Sequence, residues 1–270
     1  MKPSYFSIPY VGWMAVFVVT PIIMVIVYAF TTSAGEFTLQ NFLDMGRFLN
    51  VFTRSFHLAF IATIICIALG YPVAYILARE GQRAQRILVM LIMLPLWMNF
   101  LLRTYAWMSI LENTGLLNRL LTFLSLPTIR IINTPAAVIV GMVYNFLPFM
   151  ILPIYSVIVK IDKSIIEAAQ DLGADAFSVF RKLIIPLSLP GILSGVTLVF
   201  VPAVSTFVIT QLLGGGMVFL LGDLIEMQFL GAAYNPHLGS AIALMMMLIV
   251  IIFVVVMNKF GAGEEKAVGL

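Results

Sequence analysis

The amino-acid sequence predicts an all-α membrane protein of six transmembrane helices with both termini cytoplasmic, and three observations carry this. Of its 270 residues, 62% are hydrophobic and only 10% charged, with a mean hydropathy of +1.09. Globular domains are about 25% charged, so a soluble monomer is excluded. Six uncharged intervals (3–35, 55–78, 87–102, 131–159, 183–222 and 227–258) approach or exceed the length that a bilayer core requires. The 15 basic residues sit in short loops between them, so a pI near 9.0 reflects membrane-flanking charge and not a nucleic-acid surface.

The first interval has an apolar part, Val11 to Phe30, that is longer than a secretory signal core of about 7–15 residues. It is therefore expected as a retained span over about 9–30. The second span follows at 55–78. The third interval is the shortest and is closed by Arg103, after which the chain is uncharged to Leu111. A long cationic side chain near the outer end of a helix can snorkel to the interface, which predicts a continuous span over 87–110. The fourth span is expected at 134–159. The 40 residues of 183–222 are interrupted by Gly214-Gly215-Gly216. Too few uncharged residues remain beyond the glycines for another crossing, so one span at 188–211 and a re-entrant or interfacial segment are expected. The last span is expected at 238–258, and residues 1–270 read as a single transmembrane domain.

Orientation follows from the cations. Six spans place Lys2, Arg79, Arg83, Arg86, Lys160, Lys163, Arg181, Lys182, Lys259 and Lys266 on one side, and Arg47, Arg54, Arg103, Arg119 and Arg130 on the other. All six lysines fall on the first side, which the positive-inside rule makes cytoplasmic. Prolines recur inside the spans, and each frees a backbone carbonyl that needs a neighbouring helix, side chain or water.

Several chemistries lack their residues. There is no H-E-x-x-H, no G-x-S-x-G and no C-x-x-C, and the lone Cys66 permits no internal disulfide. His237 lies three residues before Ser240, but Asn235-Pro236-His237 reads as a turn into the last helix and not as part of a dyad. No Gly-Lys dipeptide exists, so a Walker A loop is excluded and ATP is not bound by that device. No carboxylate lies deep in a span, which weakens ion-coupled transport. An enzyme is not indicated, no bound cofactor or metal is expected, and uphill movement of a solute would draw its energy from a partner.

The longest cytoplasmic loop, 160–186, has structure written into it. Ser164-Ile165-Ile166-Glu167 fits the capping box S-x-x-E, so a short helix is expected from Ser164 to Leu172, ended by Gly173. A second helix is expected from an Asp175 cap to Pro186. Ile165, Ile166, Ala169 and Leu172 form an apolar face on a helix too short to hold itself, a face that requires a groove in another protein or a membrane surface.

Glu167-Ala168-Ala169, then Gly173, then Leu183-Ile184-Ile185-Pro186 resembles the EAA signature of ABC importer permeases, E-A-A-x(3)-G-x(9)-I-x-L-P, with Leu and Ile exchanged at Leu183 and Ile185. It lies between the fourth and fifth spans, where the type I, binding-protein-dependent family carries it. The similarity extends along almost the whole chain. Gly70-Tyr71-Pro72, Leu102-Arg103-Thr104-Tyr105, Leu147-Pro148-Phe149-Met150 and Gln228-Phe229-Leu230 give it the look of polyamine-importing members in particular.

The resemblance implies a permease fold and location in a bacterial inner or plasma membrane. It also implies a heterodimer with a second homologous permease, two ATP-binding subunits that hold ATP and Mg, and an extracytoplasmic substrate-binding protein. Ser164, Glu167, Ala168, Ala169, Gly173, Leu183, Ile185 and Pro186 would couple to the ATPases. Spermidine or putrescine is the implied cargo. Another small solute on the same kind of permease, or an ATP-independent channel or secondary transporter, is the alternative.

A solute pathway is expected along the fifth span, where Pro202, Ser205, Thr206 and Thr210 recur on one helical stripe. Helix packing enriches the same residue types. Asp223 and Glu226, at i and i+3, could offer an ammonium two carboxylates near the outer gate; the alternative is a solvated face or a docking contact for the binding protein.

Overall fold

The computed structural model describes residues 8–231 and 233–268, with Ile8 and residues 261–268 given by their backbone. Lys2 lies outside the described residues, as does the side chain of Lys266. Among the described residues the helices that organise the chain are α1 Pro9–Ala29, α2 Leu49–Arg79, α3 Gln82–Met93, α4 Phe100–Leu111, α5 Leu116–Phe123, α6 Pro135–Ile158, α7 Lys163–Asp171, α8 Ala176–Ser205, α9 Val208–Gly214, α10 Leu221–Leu230 and α11 Pro236–Val268, with a short helical turn Gln40–Asp44 before α2. Among the described residues the only β contact is the isolated bridge between Thr31 and Phe37. Five helices are long and apolar enough to cross a bilayer (α1, α2, α6, α8 and α11), and α3 with α4 and α5 counts as a sixth only when that pair, bent by 91°, is taken as one broken span.

The core is the packing of α2, α6 and α8, with α11 against α8. Small residues make it possible. Ala59, Ala62, Cys66, Gly70 and Ala74 are all buried at helical spacing on α2, so neighbouring backbones approach closely without lipid between them. Met142, Met150 and Ile154 of α6 fill the space opposite. The Tyr71 and Ser188 hydroxyls meet at 2.9 Å, tying α2 to α8 where apolar packing alone would leave two buried hydroxyls unpaired. Peripheral α1 buries only Ala29 and packs on α11, where His237 Nδ1 meets the Tyr28 carbonyl at 3.1 Å. Asn235 caps that last helix by accepting from the Leu238 amide at 3.1 Å, as a turn into the helix requires.

Three expectations about the spans need correction. The third span is not continuous. Pro95 sits in a 3₁₀ turn, Leu94–Trp97, that ends α3, and Met98 is extended. Asn99 then starts α4, its Oδ1 accepting from the Leu101 and Leu102 amides at 2.8 and 3.3 Å.

Arg103 does not snorkel. It is 7% exposed, donates from Nε to Asn145 Oδ1 at 2.8 Å and from a terminal guanidinium nitrogen to the Pro95 carbonyl at 2.6 Å, and lies 5.7 Å from the Phe100 ring centroid. The turn's own bond, from the Met98 amide to the Pro95 carbonyl at 3.2 Å, uses one lone pair of that oxygen, and the guanidinium adds a second, charged donor.

The fifth span begins earlier and ends earlier than expected. Its helix starts in the loop, passes through Pro186 and Pro190, and stops at Ser205 because Thr206 is extended (φ −66°, ψ 141°). Pro186 does not end it. The widened π turn Phe180–Ile184 precedes the proline and clears the carbonyl that its ring would otherwise strike.

Candidate functional site

Two regions gather the polar residues singled out in the sequence. The first is the loop after α6. Helix α7 starts at Lys163, and its cap is Asp162, not Ser164: Asp162 is extended (φ −65°, ψ 130°) and its Oδ1 accepts from the Ser164 amide at 3.0 Å. A carboxylate is the stronger acceptor at the positive end of a helix, and it already holds the amide that Glu167 was expected to reach. The Ser164 amide, and then its hydroxyl, hold the Asp162 carboxyl below the usual range. Glu167 is thereby left on the wall of a cavity beneath α7.

The end of α7 is built as expected. Gly173 has φ +86°, its amide donates to the Gln170 carbonyl at 2.8 Å, and the Ala174 amide donates to the Ala169 carbonyl at 3.0 Å. This pair of bonds satisfies the last carbonyls of the helix and requires a left-handed residue. Asp175 is extended at the N-cap of α8.

The apolar face of α7 divides. Ile166 and Ala169 turn inward against the core, while Ile165, Leu172 and the following Phe177 stay exposed, Leu172 by 90%. Ala168 is exposed, Leu183 and Ile185 pack against the core, and Pro186 lies inside α8. The loop thus offers an exposed apolar edge on a short helix that a fixed elbow joins to a membrane-spanning helix.

The second region lies past the opposite end of α8. After the break at Thr206, α9 runs to Gly214, Gly215 and Gly216 turn the chain in left-handed conformations, and α10 comes back beside α9. Thr210 Oγ donates to Asp223 Oδ1 at 2.7 Å, the Leu220 backbone amide donates to Asp223 Oδ2 at 2.9 Å, and Gln211 Nε2 donates to Glu226 Oε2. A cleft of about 280 Å³ is lined by Thr210, Gln211, Asp223 and Glu226. Burial pushes the Asp223 carboxyl up to about 6, against the hydrogen bonds from Thr210 and Leu220, with the Glu226 charge adding to the rise.

The expected stripe is therefore not one surface. Thr210, Asp223 and Glu226 come together. Pro202 remains within α8, Ser205 Oγ turns back to the Val201 carbonyl at 3.2 Å, and Thr206 is buried at the break. The physical reason is the end of the helix at Ser205, which removes the periodicity that a stripe needs.

Sequence reading missed Gly222, Ser55 and Asn145. A Cβ at Gly222 would sit 2.5 Å from the carbonyl oxygens of Ser205 and Thr206, so α10 can lie against the break only with glycine there. Ser55 Oγ accepts from the Leu221 amide at 2.8 Å, fixing the start of α10 to α2. Asn145 did carry a signal, a side-chain amide within an uncharged interval, but its partner Arg103 lies 42 residues away in sequence.

The model of the family described as "Binding-protein-dependent transport system inner membrane component" matches residues 70–261. The chain is 41% identical over 230 residues to the spermidine/putrescine transport system permease protein PotB of Escherichia coli (strain K12), covering 82% of this chain and 84% of that one. It is 40% identical over 244 residues to the protein of the same name in Haemophilus influenzae, covering 86% and 85%. In fold it is similar to a chain of a bacterial ABC transporter that imports the acidic polysaccharide alginate, with a TM-score of 0.79 at 14% identity over 94% of this chain and 92% of that one.

Proposed function

Because this chain belongs to the family of binding-protein-dependent transport system inner membrane components, we propose that it imports the polyamines spermidine and putrescine as one permease of an ATP-driven complex. It is a multi-pass protein of the bacterial inner membrane. The observation that carries the cargo assignment is the 41% identity with spermidine/putrescine permeases over most of both chains.

The partners belong to the same proposal: a second homologous permease, two ATP-binding subunits that hold ATP and Mg, and an extracytoplasmic binding protein. This permease contributes no hydrolysis of its own. The exposed edge of Ile165 and Leu172 seats in a groove of an ATP-binding subunit, and Gly173 passes its movement to α8. That helix runs from Ala176 to Ser205 through the π turn at Phe180–Ile184, so a displacement at the loop is carried along it to the break at Thr206.

The cleft of Thr210, Asp223 and Glu226 lies past that break, and its two carboxylates suit an ammonium group on entry. Pro202, Ser205 and Thr206 serve the hinge rather than the lining.

The test is ATP hydrolysis by the reconstituted complex with its binding protein. Spermidine- or putrescine-loaded receptor is expected to raise the rate, and receptor offered phosphate, sulfate or amino acids is not. Stimulation only with an anion would overturn the cargo assignment and leave family membership untouched.

A further inference from the structure

Between α7 and the ends of three spanning helices lies a cavity of about 360 Å³, reached by Tyr75 and Arg79 of α2, Ile158 at the end of α6, Lys163 of α7 and Val179 of α8. We propose that it binds a phosphate-ester headgroup, as an anionic phospholipid supplies it. This rests on the reading above that the loop faces the cytoplasm.

The charge balance points there. Arg79 and Lys163 both line the cavity, and among the described residues neither has a carboxylate within 4.0 Å. Glu167 is the one acidic group in the wall, which leaves the cavity with a net positive charge. Arg79 is also held in place. A terminal nitrogen donates to the Tyr75 hydroxyl at 2.9 Å, and its guanidinium carbon lies 5.3 Å from the Tyr75 ring centroid. A side chain ordered in this way loses less freedom when it binds an oxyanion, and guanidinium geometry suits phosphate.

The remaining wall is mixed: Gln170 and Tyr75 share it with Ile158, Ile166 and Ile184. Two cations and a side-chain amide beside apolar side chains in one cavity match an amphiphile better than a free ion. Basic pockets between spanning helices on the cytoplasmic side are where headgroups of anionic lipids lodge. The site also touches α2, α6, α7 and α8 together, so an occupant braces α7 against the spans and stiffens the element that Gly173 joins to α8.

The test uses the whole importer in nanodiscs of phosphatidylcholine alone, of phosphatidylcholine with phosphatidylglycerol, or of phosphatidylcholine with glycerol 3-phosphate in the buffer. Retained phosphatidylglycerol is counted by native mass spectrometry, and receptor-stimulated hydrolysis is followed through ADP. Phosphatidylglycerol is expected to be retained and to change the stimulated rate by about threefold. Arg79→Gln with Lys163→Gln is expected to lose both effects, and the exchange Arg79→Lys with Lys163→Arg to keep them.

Arg83→Gln with Lys182→Gln removes the same charge from exposed positions outside the cavity and is expected to behave as the parent. If glycerol 3-phosphate reproduces the effect in an Arg79- and Lys163-dependent way, the headgroup site stands and its source is soluble. Retention equal in the parent and in the Arg79→Gln, Lys163→Gln pair would overturn the site, as would equal loss in the control pair. Lipid retention needs no transport, so a wrong cargo assignment and a wrong lipid site give different results.

Discussion

At the scale of single residues, two positions are under opposite kinds of constraint. Gly173 is exposed, and a Cβ there would meet nothing, yet its φ of +86° is one that other residues adopt at a cost of about 1–2 kcal/mol. Gly173→Asp is expected to leave the permease folded and inserted while transport-coupled hydrolysis falls by at least about tenfold, since the elbow loses its geometry. Unchanged uptake by that variant would remove the coupling role.

Asp223 is constrained by burial. Burial pushes its folded-state carboxyl up to about 6 from the ordinary 3.8, so folding favours the protonated form. Stability from this group is therefore full below pH 3.8 and is lost as the pH rises through about 6. Asp223→Asn is expected to raise the melting temperature at pH 7.5 by about 2–4 °C, with the gain shrinking as the pH falls through about 6. A gain that did not change with pH would show that Asp223 is ionised without penalty.

At the scale of elements, the broken third crossing is the informative case. An uncharged interval measures how much chain could cross a bilayer, but not whether it does so as one helix. Pro95 and Asn99 are both visible in the sequence as a stop and a start, and together they outweigh the apolar length. Arg103 then ties the two halves to α6 through Asn145. Arg103→Met is expected to destabilise the protein by about 1–3 kcal/mol, because Asn145 Oδ1 loses its donor in a setting without water to replace it and the Pro95 carbonyl keeps only the Met98 amide. Thermal unfolding of the purified variant measures this. A melting temperature equal to the parent's would mean that the tie is incidental to the bend. The fifth span carries the complementary lesson, since Pro186 failed to stop a helix once a π turn had made room for its ring.

At the scale of the whole molecule, the distribution of exposed apolar surface matches a subunit more than a self-contained protein. Around the spans such surface faces lipid, but Leu172 and Phe177 expose theirs on a charged loop. Leu172→Asp is expected to leave the protein inserted and thermally unchanged while the co-purified ATP-binding subunits fall by about tenfold, as loss of a central apolar anchor at an interface does. Full recovery of those subunits would assign the face to the membrane surface instead.

The all-α class and the number of segments apolar enough to cross a bilayer could be read from the sequence alone. Hydropathy reports directly how each segment transfers from water into lipid, and that transfer is a property of the segment alone. The glycine at the end of α7 was legible for the same reason, since a left-handed turn is a local requirement. Only the tertiary structure decided which residues share a site. The stripe of Pro202, Ser205, Thr206 and Thr210 assumed an unbroken helix, and the break at Thr206 depends on α10, with its Gly222, packing against those carbonyls. The pairing of Arg103 with Asn145, of Thr210 with Asp223 and of Tyr71 with Ser188 likewise joins side chains separated by 42, 13 and 117 residues. A buried polar group takes its partner from whichever helix packs beside it, and that neighbour is chosen by the fold as a whole.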